Sequence, residues 1–85
     1  MIAYEILVNG HRVCIAGASG VFDATVCWTP AMGNNPRLTV GGIDKNDFGN
    51  WHVDWSAPTV GVGDEVTIRI VSTDSVDPPI LKRPA

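Results

Sequence analysis

Residues 60–71 read Val-Gly-Val-Gly-Asp-Glu-Val-Thr-Ile-Arg-Ile-Val, which is a turn followed by an alternating strand. The Gly-Asp pair is typical of a tight turn, because glycine adopts backbone conformations that are closed to other residues. From Val66 onward every second residue is apolar, so Val66, Ile68 and Ile70 fall on one face of an extended chain. A period of two is typical of a half-buried β-strand. We therefore predict that this face lies on the core.

The composition indicates one small, strand-rich domain. The chain has 85 residues, enough for a single thin core. Nine glycines and six prolines interrupt most windows that could form an amphipathic helix, whereas valine, isoleucine, threonine and tryptophan favour strands. We predict an all-β fold, a six-stranded and mostly antiparallel sandwich or small barrel.

The N-terminal hairpin is the most sharply predicted element. Asn9-Gly10 separates two alternating runs, and a two-residue turn of this kind fixes the register of the strands on either side. On the reverse face of this hairpin, Cys14 is expected opposite Glu5 and Arg12 opposite Leu7. On the core face, the expected pairs are Val8 with His11, Ile6 with Val13, and Tyr4 with Ile15.

Four further strands are predicted at residues 21–29, 37–40, 51–55 and 66–73, all within one domain over residues 1–75. The glycines Gly41-Gly42 are expected to end the second of these strands, and residues 44–50 form the most polar loop. Pro78-Pro79 makes residues 76–85 an extended tail that is either free or lies along a neighbour. Truncation after Val76 should leave the stability unchanged if the tail is free and lower it if the tail docks.

Charge and hydropathy exclude several classes of function. The net charge is −3 and the six lysines and arginines are scattered, so we expect no nucleic-acid partner. No apolar run approaches the ~20 residues of a membrane span, and the N-terminus lacks the basic region of a signal peptide. We therefore expect a cytoplasmic protein with no membrane partner.

Residue spacing predicts neither a catalytic nor a metal site. If residues 16–20 close a hairpin, Cys14 and Cys27 lie roughly 16 Å apart at strand rise, too far for a disulfide, and two free thiols suit a reducing compartment. Asp44-x-Asn46 begins like a calcium loop, but Phe48 and Trp55 occupy positions that need oxygen ligands. The two histidines are on different hairpins, without a zinc-type spacing. We expect no enzyme, no cofactor and no bound metal.

The segment Trp51-His-Val-Asp-Trp55 has two interpretations. In the favoured one, Trp51, Val53 and Trp55 point into the core, because large apolar residues at period two usually face inward. His52 and Asp54 then form a polar outer face. In the other, the indoles face outward and stack on a sugar or anchor a protein partner.

Three runs resemble small bacterial and phage β-domain proteins of unassigned function: Leu38-Thr-Val-Gly-Gly-Ile43, the Trp51–Trp55 strand, and Val62-Gly-Asp-Glu-Val-Thr-Ile-Arg-Ile70. The resemblance extends over about half of the chain. The resemblance implies a fold type and carries no functional residue.

The leading hypothesis is a non-enzymatic module that binds a protein. It would be an accessory, inhibitor or immunity-type protein, with a phage or mobile-element origin as one option, and an edge strand could support a homodimer. The alternative is a small-ligand or carbohydrate-binding domain built on the Trp51–Trp55 strand. The candidate binding residues are Asp44, Asp47, Phe48, Trp51, His52, Asp54 and Trp55.

Overall fold

The computed structural model describes residues 1–47 and 49–85, and it confirms the all-β prediction. Within those residues it contains seven strands, one more than predicted, in two antiparallel sheets that pack as a sandwich. The strands are β1 (Ile2–Val8), β2 (His11–Ala16), β3 (Phe22–Cys27), β4 (Arg37–Asn46), β5 (Gly49–Asp54), β6 (Val66–Ser72) and β7 (Leu81–Pro84). The first sheet has the order β2-β1-β6 and the second the order β3-β4-β5-β7.

The core lies between the two sheets and is small. Ile6 of β1 and Val53 of β5 are the largest side chains that are fully buried. Around them pack Cys14, Ala16, Ala18, Leu38, Val40, Trp55 and Val60. A chain of this length buries a thin core, and most of its stability must come from these few contacts.

Two contacts show how one sheet lies over the other. The ring of Tyr4 on β1 is 4.8 Å, centroid to centroid, from the ring of Phe22 on β3, so β3 lies over β1. At the opposite edge, Asp77 bonds to Ile15 of β2 and accepts a hydrogen bond from the Trp55 indole beyond β5. The β3 edge of the second sheet therefore lies on the β6 side of the first sheet, and the β5 side of the second sheet lies near β2. Because β3 lies over β1, β6 projects past the edge formed by β3.

The Asn9-Gly10 turn is confirmed, but the predicted register holds only beside the turn. Asn9 and Gly10 both have positive φ, 53° and 79°, as this type of turn requires. Val8 lies opposite His11 and Leu7 opposite Arg12, as predicted; a bulge between Ile6 and Leu7 then shifts the pairing. The predicted partners of Ile6, Tyr4 and Glu5 are wrong: they pair with Cys14, Ala16 and Ile15.

The bulge has a consequence for packing. One extra residue in β2 reverses the faces of the residues beyond it. Cys14 and Ala16 turn inward and join the core cluster that also contains the bulky indole of Trp55. Small residues at these positions leave room for that indole.

The prediction that Gly41-Gly42 ends a strand is wrong, since β4 continues through both glycines to Asn46. A side chain at Gly42 would collide with the backbone beside it, at Val21 O and at Phe22 of β3. Gly42 therefore permits a close approach of β3 to β4 in place of a break.

The C-terminal segment supplies the seventh strand. Residues 81–84 pair with β5, with Trp51 opposite Pro84 and Asp54 opposite Leu81. Ile80 N also donates to Asp54 O and Ala85 N to Asn50 O. Residues 73–80, upstream of β7, carry the chain from one sheet to the other.

In the part of the chain that the structure describes, no helix has the length and apolar character needed to cross a membrane.

Candidate functional site

The Trp51–Trp55 segment is divided between core and surface. Trp55 is only 5% exposed, and its Nε1 donates to Asp77 O at 2.7 Å. Val53 is fully buried, so the core interpretation is confirmed for these two residues. Trp51 is half-buried; its Nε1 donates to Asn46 Oδ1, and Lys82 Nζ lies 5.6 Å from its ring centroid. The two indoles thus do not share an outward surface.

The polar loop residues among the candidates are not gathered into one site. Asp44 Oδ1 accepts hydrogen bonds from Ser19 N and Ser19 Oγ, both at 3.0 Å, and so fixes the 17–20 loop against β4. Asp47 is exposed in the β4–β5 turn. The predicted exposed anchor, Phe48, lies outside the described residues.

His52 and Asp54 lie on the outer face of the second sheet. In the strand register Asp23, Gly41 and Asp54 form one row, and the Asp54 carboxylate lies over Gly41. This row borders a shallow depression that His52 also lines. Among the residues that the structure describes, no three His, Cys, Asp or Glu side chains are grouped as a metal site would require.

The two outer strands β2 and β7 have protected edges. β2 is covered by the segment around Asp77, since Asp77 N donates to Ile15 O and Ile15 N donates to Asp77 Oδ2, both at 2.9 Å. β7 has only four residues and contains Lys82, Arg83 and Pro84. Short length, basic residues and proline are the common ways of preventing an edge strand from pairing with another chain.

The other two edges, those of β3 and β6, have no strand partner within residues 1–47 and 49–85. β6 pairs only with β1 and carries neither lysine nor proline. β3 pairs only with β4, and its sequence Phe-Asp-Ala-Thr-Val-Cys also lacks both. Because β3 lies over β1, both unpaired edges are on the same side of the sandwich.

On this side the inward face of β6 is exposed. Ile6 of β1 is 0% exposed, but its cross-strand neighbour Ile68 is 41% exposed and Ile70 is 70% exposed. The prediction that Val66, Ile68 and Ile70 all face the core is therefore correct only for Val66, which packs against the core cluster. The two isoleucines have the predicted orientation, but β6 extends past β3 and the described chain covers them only in part.

The end of β3 carries apolar groups on the same side. Val26 is 51% exposed, although it lies on the same face of β3 as Phe22 and Ala24, which pack against the core. Trp28 follows β3 and is 56% exposed; its Nε1 donates to Gly33 O at 2.7 Å, which holds the indole against the short 3-10 helix Pro30–Met32. We call the unpaired edges of β3 and β6, with Val26, Trp28, Ile68 and Ile70, the open side.

The sequence pattern does not reveal the open side. Alternation predicts which residues share a face, but it cannot tell a central strand from an edge strand. A usable signal was the contrast between β6, with seven residues and one charge, and the basic, proline-containing β7.

The two cysteines differ sharply in environment. Cys14 is buried and Cys27 is exposed, and both are free thiols. Burial raises the pKa of the Cys14 thiol, Asp77 raises it further, and Arg12 acts weakly in the opposite direction. A raised pKa keeps Cys14 protonated and unreactive.

We expect one thiol per chain to react with Ellman's reagent in the native state and two in denaturant. Cys27→Ser should abolish the native reaction, whereas Cys14→Ser should leave it unchanged. Rapid modification of both thiols in the folded protein would contradict the burial of Cys14.

Comparison of the chain with protein-family models, with curated proteins and with solved structures gave no match. The function is therefore inferred from the geometry of the chain itself.

Proposed function

We propose that this chain is a non-enzymatic module that binds a protein partner at the open side. One observation carries the proposal: the two edges without protection lie together, next to exposed apolar side chains, while the other two edges are protected. Exposed, apolar edge strands are liable to aggregate, and a soluble domain retains them where a partner covers them.

The chemistry of the open side favours an extended segment as the bound element. An unpaired edge offers alternating N–H and C=O groups that only another strand satisfies in full. The partner strand would add to β3, with its apolar side chains between Val26 and Ile70. Trp28 at the end of β3 is suited to be an anchor, since tryptophan is enriched among residues that dominate binding energy.

This mode of binding fits an accessory, inhibitor or immunity-type protein of the cytoplasm, including one encoded by a phage or mobile element. A carbohydrate surface on the Trp51–Trp55 strand has less support, because Trp55 is buried and hydrogen-bonded to the backbone.

The proposal is tested with a photo-crosslinking amino acid placed at position 26 or 70 and, as the matched control, at position 80. Ile80 is an exposed isoleucine on the C-terminal segment. In extract from the source cells we expect positions 26 and 70 to give the same protein adduct and position 80 to give none.

Val26→Lys should reduce capture of that partner by about tenfold or more, because a charge replaces an apolar contact. Ile80→Lys should leave capture unchanged. Equal adducts at all three positions, or no adduct with any partner at positions 26 and 70, would overturn the proposal.

A further inference from the structure

We infer that β6 pairs with β6 of a second copy of this chain, antiparallel and two-fold symmetric about Thr67. The inference rests on the proposed function in one respect, since it names the element that completes the β6 half of the open side. The β3 half remains available to a different protein.

The backbone of β6 has the geometry for such pairing. At one end Met1 N donates to Thr73 O and Thr73 N donates to Met1 O; at the other, Asn9 N donates to Glu65 O. In an antiparallel ladder the residues that bond to one neighbour alternate with those that face the other side. The odd-numbered residues of β6 therefore bond to β1. The N–H and C=O groups of residues 66, 68, 70 and 72 lie in the plane of the sheet and point away from β1, toward the unpaired edge.

The charged residues favour one register of the pair. Glu65 and Arg69 are four positions apart on the same face and on either side of Thr67. Symmetry about Thr67 places Arg69 of each copy directly opposite Glu65 of the other, which gives two complementary pairs. Symmetry about Arg69 would instead oppose two guanidinium groups, and like charges directly opposite one another are destabilising.

Residues 66–68 are also self-complementary in this register, whereas Ile70 lies opposite Asp64 of the second copy, beyond the end of the shared ladder. Val66 meets Ile68 of the second copy on the inward face, so apolar groups are paired with apolar groups. Thr67 meets Thr67 of the second copy on the other face. The chain already contains a cross-strand threonine pair of this kind, with 2.8 Å between Thr25 Oγ1 and Thr39 Oγ1.

The dimer would join two three-stranded sheets into one continuous sheet of six strands. Both β3 edges then stand on the same side of this sheet, with Ile68 and Ile70 of the two copies on the floor between them. The binding site of the proposed function is thereby duplicated and made into a groove.

The experiment is a charge exchange measured by sedimentation equilibrium. One variant is Glu65→Arg. The other is Arg69→Glu made together with Glu5→Gln, because Glu5 Oε1 lies 2.6 Å from Arg69 Nη1 and would repel the new carboxylate. Each variant alone places like charges across the two-fold axis, whereas an equimolar mixture restores two opposite pairs.

We expect the wild-type chain and the Glu5→Gln control to form dimers. Each exchange variant alone should dissociate about tenfold more readily, and the mixture should regain the wild-type dissociation constant. Thermal unfolding of every variant checks that the subunit itself remains folded.

A wild-type chain that stays monomeric at about 100 µM, a modest concentration for a specific dimer, would overturn the inference. So would a Glu65→Arg variant that dimerises like the wild type, since pairing about Arg69 would not involve Glu65. Either result leaves the proposed function standing if positions 26 and 70 still give the partner adduct. A monomeric wild-type chain together with no partner adduct at positions 26 and 70 would overturn both the dimer and the proposed function.

Discussion

Ending the chain after Val76 is expected to lower the free energy of unfolding by about 3–5 kcal/mol, a large part of the ~5–15 kcal/mol of an ordinary domain. The truncation removes the backbone carbonyl of Asp77, and the buried Trp55 Nε1 then has no acceptor. It also removes the Asp77 N–H that donates to Ile15 O and the Asp77 carboxylate that accepts from Ile15 N. Finally, it deletes β7 and leaves the edge of β5 unpaired.

Two shorter changes separate these contributions. Truncation after Ile80 removes β7 but keeps Asp77, and because β7 is exposed throughout it should cost only about 1 kcal/mol. Asp77→Ala keeps the backbone bonds of residue 77 and removes the carboxylate that accepts from Ile15 N. Its expected cost lies between those of the two truncations.

Urea denaturation followed by tryptophan fluorescence gives all three values. The truncation after Val76 was predicted from sequence to be neutral for a free tail and damaging for a docked one, and the structure leads us to expect damage. A variant ending at Val76 that is as stable as the full chain would show that residues 77–85 contribute nothing to the fold.

Substitution of Gly42 by alanine is expected to destabilise the protein by about 3 kcal/mol, the upper range for an overpacked site. The new Cβ would collide with Val21 O and would lie 2.6 Å from Phe22 Cβ and 2.7 Å from Phe22 Cα. Backbone cannot move aside as a flexible side chain can, so β3 and β4 would have to separate. That separation would also disturb Phe22, which contacts Tyr4 across the sandwich.

Gly61→Ala is the matched control. Its Cβ would have no contact shorter than 3.3 Å, to Asn34 O, and its backbone lies outside the positive-φ region. We expect a change within about 1 kcal/mol of zero, because alanine also restricts the unfolded chain. Equal stability of the two variants, measured by urea denaturation, would refute the close approach at Gly42.

In the Val60–Val71 segment the sequence predicts the turn and the strand correctly but not the burial of the strand's apolar face. Its turn is present: the Asp64 carboxylate accepts hydrogen bonds from Asn9 Nδ2 and Gly61 N, and these bonds lower the pKa of Asp64. Its strand is present with the predicted alternation. The location of its apolar face was predicted incorrectly, because coverage of that face depends on where β3 lies and not on residues 66–72.

The candidate site was less predictable than the fold. The sequence pairs Trp51 and Trp55 as two indoles on one strand, but Trp55 belongs to a core whose other buried residues are no larger than isoleucine or leucine. Trp28 became the most exposed indole because it follows an edge strand. Burial depends on neighbours distant in sequence, so no local pattern distinguishes these tryptophans.

The sequence by itself determined the local features of this protein: the all-β class, the Asn9-Gly10 turn, and the residues that share a face in each strand. These follow from backbone preferences and a two-residue period, which act over a few neighbouring positions. The tertiary structure alone decided which edges stay unpaired, that β7 joins β5, and that a bulge turns Cys14 inward. Those features depend on strand order, which is set by contacts between residues as far apart as Met1 and Thr73, and no local period records them.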